Sequence, residues 1–353
     1  MLKNKAAQLM AIPGVSGHEG RVVEFLRDEL QSLADEILVD SMGNLFALRR
    51  GSRPGPRFML ASHTDQLGAV IRYIDPDGFM RFEKIGGVLD SLLLGRKVSV
   101  GGVPGIVGVK PGHYQTDEEK RTVPKTEQMF IDVGAESDEE VRELGIDIGT
   151  PVTYSDQMTV MADGNRFAGA GLDDRAGCAV SWQVLEEVAD GDFGGEFWAV
   201  FTVQEEVGLR GAGVAATRVS PDFALALDTI PCGGTPDVRA DQLHTKIGRG
   251  PVFAMVSGQR GQFAAHPKLR QILVDAAEKC EAPYQPMVFA GGNNDASSIQ
   301  LAGTGVAAAS VTLPRRYSHS PVEMGDFRDM AAATNIISTV VRDMENFGDF
   351  SFV

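Results

Sequence analysis

The sequence predicts an α/β protein: a mixed, mostly parallel sheet with helices on both faces, and a small β-barrel inserted after its first segment. Three observations carry that reading. Continuous apolar runs at residues 58–62, 197–203, 223–227 and 306–312 suit strands buried on both faces. Segments of helical periodicity alternate with them, as in sheets covered by helices. Between Gly68 and Asn165 the pattern changes to short β-like runs broken by Gly- and Pro-containing turns, with no long helical periodicity.

Taken in order, Ser16-Gly17-His18-Glu19 has the form of a capping box, and Val22, Val23, Phe25, Leu26, Leu30 and Leu33 follow at helical spacing. A helix is predicted over 18–34. Strands are predicted at 37–39 and 44–48, around the turn Ser41-Met42-Gly43, and then at 58–62. The inserted region offers strands at 69–74, 79–82, 97–100, 106–109, 129–133 and 152–154, with one helix at 138–144. After Gly169 the pattern gives a helix at 173–188, a strand at 197–203 and a turn and helix at 209–216. A strand at 223–227, a helix at 267–280, a strand at 306–312 and a last helix at 324–347 complete it. The expected partition is an α/β domain of residues 1–67 and 164–353 around a β-rich domain of residues 68–163.

A chain of 353 residues suits about two domains at roughly 150 residues each. Its 33 basic and 48 acidic residues give a net charge of −15, and the densest basic clusters are as short as Arg315-Arg316. Such a chain repels nucleic acid, so no nucleic-acid partner is expected. Three widely spaced cysteines without C-x-x-C do not form a disulfide framework and favour a reducing, cytoplasmic setting. No run of 18 apolar residues exists, which leaves no expected membrane span. The apolar stretch from Ala6 to Ile12 is interrupted by Gln8 and closed by Pro13, without a signal-peptide cleavage pattern.

Ligands of open α/β sheets bind beyond the carboxyl ends of the strands. Four predicted strands end in chemistry-bearing residues: His63-Thr64-Asp65, Gln204-Glu205-Glu206, Asp228-Thr229, and a loop with His319. Asp173-Asp174 follows the Gly169-Ala170-Gly171 turn. Singly, these have bland readings: Asp173 as a helix cap, His319 as a surface residue, Asp65 as a turn former. Glu205-Glu206 resists one, because adjacent carboxylates after a buried strand repel each other and lose hydration. They can share a site only if the chain turns, which Gly208 and Gly211 permit. Two imidazoles with at least three carboxylates suit divalent ions such as zinc or cobalt. Two ions fit if one carboxylate bridges, and a spare carboxylate is then free to act as general base. Asp65 is spaced to hydrogen-bond His63 from behind.

In this order and spacing the motifs resemble the M42 family of metallo-aminopeptidases. They are Ile12-Pro13-Gly14-Val15-Ser16-Gly17-His18-Glu19-Gly20, His63-Thr64-Asp65, Gly171-Leu172-Asp173-Asp174-Arg175-Ala176-Gly177, Val203-Gln204-Glu205-Glu206-Val207-Gly208, Leu227-Asp228-Thr229 and Tyr317-Ser318-His319-Ser320-Pro321-Val322-Glu323. The resemblance spans essentially the whole chain. It implies a zinc-exopeptidase-like fold whose β insertion serves dimerisation, and two divalent metal ions per subunit. Asp173 would bridge them, with His63 and Asp228 on one side and Glu206 and His319 on the other. Glu205 would be the general base for a two-metal activated water, with Asp65 behind His63. A cis peptide at Asp173-Asp174, peptide substrates, and dimers assembling into a tetrahedral dodecamer are also implied. Two departures stand out: Gln66 replaces a glutamate common in relatives, and Gly291-Gly292-Asn293-Asn294-Asp295-Ala296 varies a Gly-Gly-x-Asp-Ala segment.

Rival readings are weaker on the residues. A glycoside hydrolase would use paired carboxylates but has no role for His63 and His319. A catalytically inactive metal-binding relative would have lost a ligand or the base, and none is missing. Gly211-Ala212-Gly213-Val214-Ala215-Ala216 matches a dinucleotide motif formally, but no strand feeds directly into it. There is no G-x-S-x-G elbow, and Cys178 on its apolar helix reads as packed. His113, His244 and His266 read as surface or interface residues. The four carboxylates Asp173, Glu205, Glu206 and Asp228 would be offset by two divalent ions, leaving −15 + 4, or about −11, as a solubility feature.

Overall fold

The computed structural model describes residues 1–352. Its main sheet is mixed, and its four central strands run parallel in the order Gly194–Thr202, Arg53–His63, Phe223–Pro231 and Ala307–Arg315. Their Phe, Leu, Val and Ala side chains are buried on both faces, as a helix-covered sheet requires. Phe58, wholly buried, stacks on Phe223 with ring centroids 4.6 Å apart and touches Phe197 on the opposite neighbour. Burying such a ring contributes about 1.5–3 kcal/mol. Leu45–Arg50 and Glu36–Val39 extend one edge antiparallel. Val252–Ser257 extends the other, paired in turn with Phe263–Ala264 and Gln285–Phe289.

Helices Leu2–Met10, Leu172–Glu187, Phe327–Asp343 and Pro267–Lys279 pack side by side on one face. Arg210–Val219 and Asp295–Ile299 pack together on the other. The parallel register does the work of assembling the site. Thr202 lies opposite His63 and Ala226 opposite Ala61, so two more residues along that strand bring Asp228 level with His63.

Several expectations change. Residues 2–10 form a helix, in which Ala6, Leu9 and Met10 are buried. Lys5 is buried too, held by Gln183 Oε1 at 2.8 Å and Glu186 Oε2 at 2.5 Å, so a basic residue served as core and masked the pattern. The predicted capping box does not form: helix Gly20–Leu30 has no side-chain cap, because Ser16 and Glu19 are engaged elsewhere. Strand Phe223–Pro231 continues past Asp228, so that residue lies within the strand rather than after it. The last helix starts only at Phe327, because Glu323–Asp326 pairs as a strand with Arg166–Gly169. Gly211 lies in the first turn of Arg210–Val219, where a Cβ would overlap Asn44 Oδ1 and the Val203 backbone. Close packing beneath the site explains that glycine, with no nucleotide needed.

Between the two parts of the sheet, strands Gly68–Ile74, Met80–Ile85, Ile131–Asp132, Val103–Val107, Lys97–Val100 and Pro151–Tyr154 close into an antiparallel barrel. Ile71, Met80, Phe82, Val100, Val107 and Ile131 fill a core of its own, separate from that of the sheet. Helix Asp138–Glu143 is capped by Ser137, whose Oγ accepts the Glu140 N–H. The barrel's Gly86-Gly87 turn reaches back to the sheet: a Cβ at Gly87 would overlap the His319 ring.

Candidate metal centre

His63 ends its strand with its ring buried, and its Nε2 lies 3.4 Å from Asp173 Oδ1 and 3.7 Å from Asp228 Oδ1. Its Nδ1 meets the Asp65 backbone carbonyl at 3.1 Å and the Asp65 carboxylate at 3.4 Å. A ring nitrogen held from behind in this way fixes which nitrogen faces the carboxylates. The Cys178 thiol donates to the His63 carbonyl at 3.1 Å, and burial pushes that thiol up to about 12, which leaves it unreactive.

The Asp65 carboxylate does more than back His63. Its Oδ1 accepts the Glu205 N–H at 3.0 Å, and its Oδ2 accepts the Glu206 N–H at 3.2 Å and the Ser16 hydroxyl at 2.6 Å. Two adjacent glutamates can therefore face one site because both of their amides converge on one carboxylate. The turn that allows this sits at Gln204, whose φ is +58°, ahead of the pair as well as at Gly208 behind it. Glu19 Oε1 accepts the Gln204 N–H at 3.1 Å, so the Ser16–Glu19 segment braces this turn.

Asp173 and Asp174 enter at the head of helix Leu172–Glu187, where both depart from helical geometry and the peptide between them is cis. The cap position belongs to Gly171, so Asp173 is free of capping. Its carboxylate faces both imidazoles, Oδ1 toward His63 and Oδ2 toward His319 Nε2 at 3.7 Å. Thr229 Oγ1 donates to Oδ1 at 2.8 Å. Glu323 locks this side together, accepting the Asp173 N–H at 3.1 Å, the His319 N–H at 2.8 Å and Arg315 Nη1 at 3.0 Å. His319, Glu206, Asp173, Gln66 and Tyr154 line one narrow cleft.

Two triads draw ligand atoms within 4.8 Å of one another: His63, Asp174 and Asp228, and Asp173, Glu206 and His319. Asp174 Oδ2 and Glu206 Oε1 are buried without any hydrogen-bond partner, which is costly unless a cation meets them. Burial raises the Glu205 and Glu206 carboxyls well above the usual range. Asp228, Asp295 and Glu206 add to it at Glu205, and Asp173 does so at Glu206. Burial opposes charge on His63, yet Asp173, Asp228 and Asp65 outweigh it and hold the imidazole pKa well above its ordinary value. Proton and metal compete for the same lone pairs, so sites that attract protons this strongly suit divalent cations. The residues fit such ions.

All seven predicted site residues, His63, Asp65, Asp173, Glu205, Glu206, Asp228 and His319, converge on this one region. His113, His244 and His266 belong to neither triad. Sequence reasoning did not single out Asp174 as a donor, nor Asp295, whose Oδ2 accepts the Thr202 hydroxyl at 2.6 Å and which burial raises to about 7. It noted Arg315 only as part of a short basic cluster and gave it no place in the site; the side chain is buried. Glu323 closes the Tyr317–Glu323 motif, but nothing in the sequence assigned it a role in the site.

A family profile described as M42 glutamyl aminopeptidase matches residues 43–336. Aminopeptidase APDkam598 from the archaeon Desulfurococcus kamchatkensis is 36% identical, with a TM-score of 0.93 over 98% of this chain and 96% of that one. The TET1 peptidase of Pyrococcus horikoshii, described as able to assemble into a tetrahedron or a large octahedral shell, is 31% identical. Its TM-score is 0.85 over 97% of this chain and 99% of its own. The lysyl aminopeptidase of Pyrococcus furiosus is 32% identical over 346 residues, 96% of each chain.

Proposed function

From a chain that belongs to the M42 peptidase family, we propose a metal-dependent aminopeptidase that releases N-terminal residues from peptides with Glu205 as general base. The observation that carries this reading is the pair of donor triads joined by Asp173, with Glu205 buried beside them. His63 and Asp228, with Asp174 beside them, would hold one divalent ion, and Glu206 and His319 the other. Asp173 would offer an oxygen to each. Imidazole with carboxylate suits zinc or cobalt. Two such ions, when bound, supply Lewis acidity toward a water and toward the scissile carbonyl.

The remaining chemistry falls to the chain itself. Glu205 takes the proton of the attacking water and returns it to the nitrogen of the departing amine. Its buried, acidic surroundings raise its proton affinity well above that of an ordinary carboxyl, which helps a group that must take a proton before giving it back. Asp65 orients His63 and holds the amides of both glutamates, so one carboxylate sets the relative position of base and ligand. The Gly86-Gly87 turn of the barrel walls the His319 side of the cleft.

The barrel is proposed to serve dimerisation, with dimers assembling into a tetrahedral dodecamer. Among the described residues no helix is long and apolar enough to cross a membrane. A panel of amino-acid arylamides tested on the metal-loaded protein checks the activity. Hydrolysis should vanish with a strong chelator and return with cobalt or zinc; hydrolysis that survives chelation would contradict the reading. Light scattering checks the assembly, since a mass of one or two subunits excludes the dodecamer.

A further inference from the structure

Arg315 ends the strand Ala307–Arg315 and is 4% exposed. Its Nη1 pairs with Asp173 Oδ2 and, at 3.0 Å, with Glu323 Oε1. That Asp173 oxygen is the one turned toward His319, at 3.7 Å from Nε2. A guanidinium keeps its charge at any working pH. A permanent positive charge therefore sits on the oxygen that Asp173 presents to the Glu206 and His319 side.

The two triads differ sharply in this respect. Around His63, Asp174 and Asp228 the further carboxylates are Asp65 and Asp173, each 3.4 Å from a ring nitrogen of His63, and no lysine or arginine forms an ion pair with any of the three. Around Asp173, Glu206 and His319, the guanidinium competes for a donor oxygen and repels a second cation. The repulsion acts in a buried setting where screening by water is weak. Glu323 offsets part of the charge, but it is already committed to Arg315 and to the amides of Asp173 and His319.

Resting on the two-metal reading above, we propose that Arg315 makes the two metal positions unequal. The His63, Asp174 and Asp228 position binds a divalent ion tightly. The Asp173, Glu206 and His319 position binds weakly, because its ion must share Asp173 with the guanidinium. The chain would then carry one resident ion and fill the second only as free metal rises. Arg315 is in this sense a positioning residue that sets metal affinity.

The test is calorimetric titration of cobalt into the metal-stripped full chain, which reads binding without any turnover. Wild type should show two classes of one ion each, with dissociation constants at least about tenfold apart. Arg315→Met, which keeps the bulk and removes the charge, should tighten the weaker class by about tenfold or more and leave the tighter one within about threefold. Arg315→Lys, which keeps the charge, should keep the second class weak and serves as the measure if the methionine variant fails to fold. Two equal ions in wild type overturn the proposal, as does a weaker class that the methionine variant loosens or leaves unchanged, or that the lysine variant tightens. Absence of any cobalt binding would instead overturn the two-metal reading beneath it.

Discussion

Asp65→Asn changes one oxygen to an amide nitrogen and leaves the volume almost unaltered. In the wild-type protein the carboxylate accepts three donors: the Glu205 N–H at 3.0 Å, the Glu206 N–H at 3.2 Å and the Ser16 hydroxyl at 2.6 Å. The asparagine can keep its carbonyl oxygen on the Glu205 N–H. Its NH2 then points at Ser16, which can turn its hydroxyl to accept, and at the Glu206 N–H, which cannot. One amide is left facing another donor in a fully buried place. Bonds to charged groups are worth about 1.5–3 kcal/mol each, and an orphaned buried donor costs about 1–3 kcal/mol. A stability loss of about 2–4 kcal/mol follows. Urea unfolding of metal-stripped protein isolates it from metal linkage. Because the same carboxylate backs His63 and sets Glu206, metal affinity should fall about 10- to 100-fold when cobalt is titrated into the folded variant. An unchanged urea midpoint together with unchanged metal affinity would refute the role given to Asp65.

Gly177→Ala places a Cβ against both carboxylate oxygens of Asp174, so metal content per chain should drop by about one ion, read by elemental analysis against a folded control. Asp329, remote from the triads, accepts the Gly248 and Gly250 N–H groups at 2.7 Å, and burial raises it to about 7, with Asp326 adding and Arg328 opposing. Its folded pKa lies above the unfolded value of 3.8, so its stabilising share is complete below that value and is lost as pH rises toward 7. Asp329→Asn should flatten the decline in thermal stability between those pH values, and a decline as steep as in wild type would count against the assignment. Phe58→Ala should cost about 3–5 kcal/mol in urea unfolding, because the ring is wholly buried between Phe197 and Phe223.

The sheet was legible because its central strands are continuous apolar runs. His63, Glu205 and His319 follow at or beyond strand ends in sequence order, while Asp228 proved to lie inside a strand that runs on to Pro231. The barrel was legible from its change of texture. Local reasoning failed where a residue serves a distant partner. Ser16 and Glu19 look like a capping box, yet they brace Asp65 and the Gln204 turn across 49 and 185 residues. The Leu2–Met10 helix was hidden by Lys5, a basic residue whose burial depends on Gln183 and Glu186. Arg315 is only one half of a short basic cluster until the strand that carries it ends beside Asp173. In each case the deciding partner lies far along the chain, where neither periodicity nor spacing can point.

The central claim, that Glu205 moves the proton while other residues hold the metals, is tested most directly by one measurement. Glu205→Gln removes the base, keeps the shape and spares every proposed ligand. Turnover of an amino-acid arylamide and metal content should be read on the same preparation. With cobalt in excess the variant should hold the same metal content as wild type, about two ions per chain, with turnover lower by about 10²- to 10⁴-fold or more. Near-wild-type turnover with full metal content would contradict the claim.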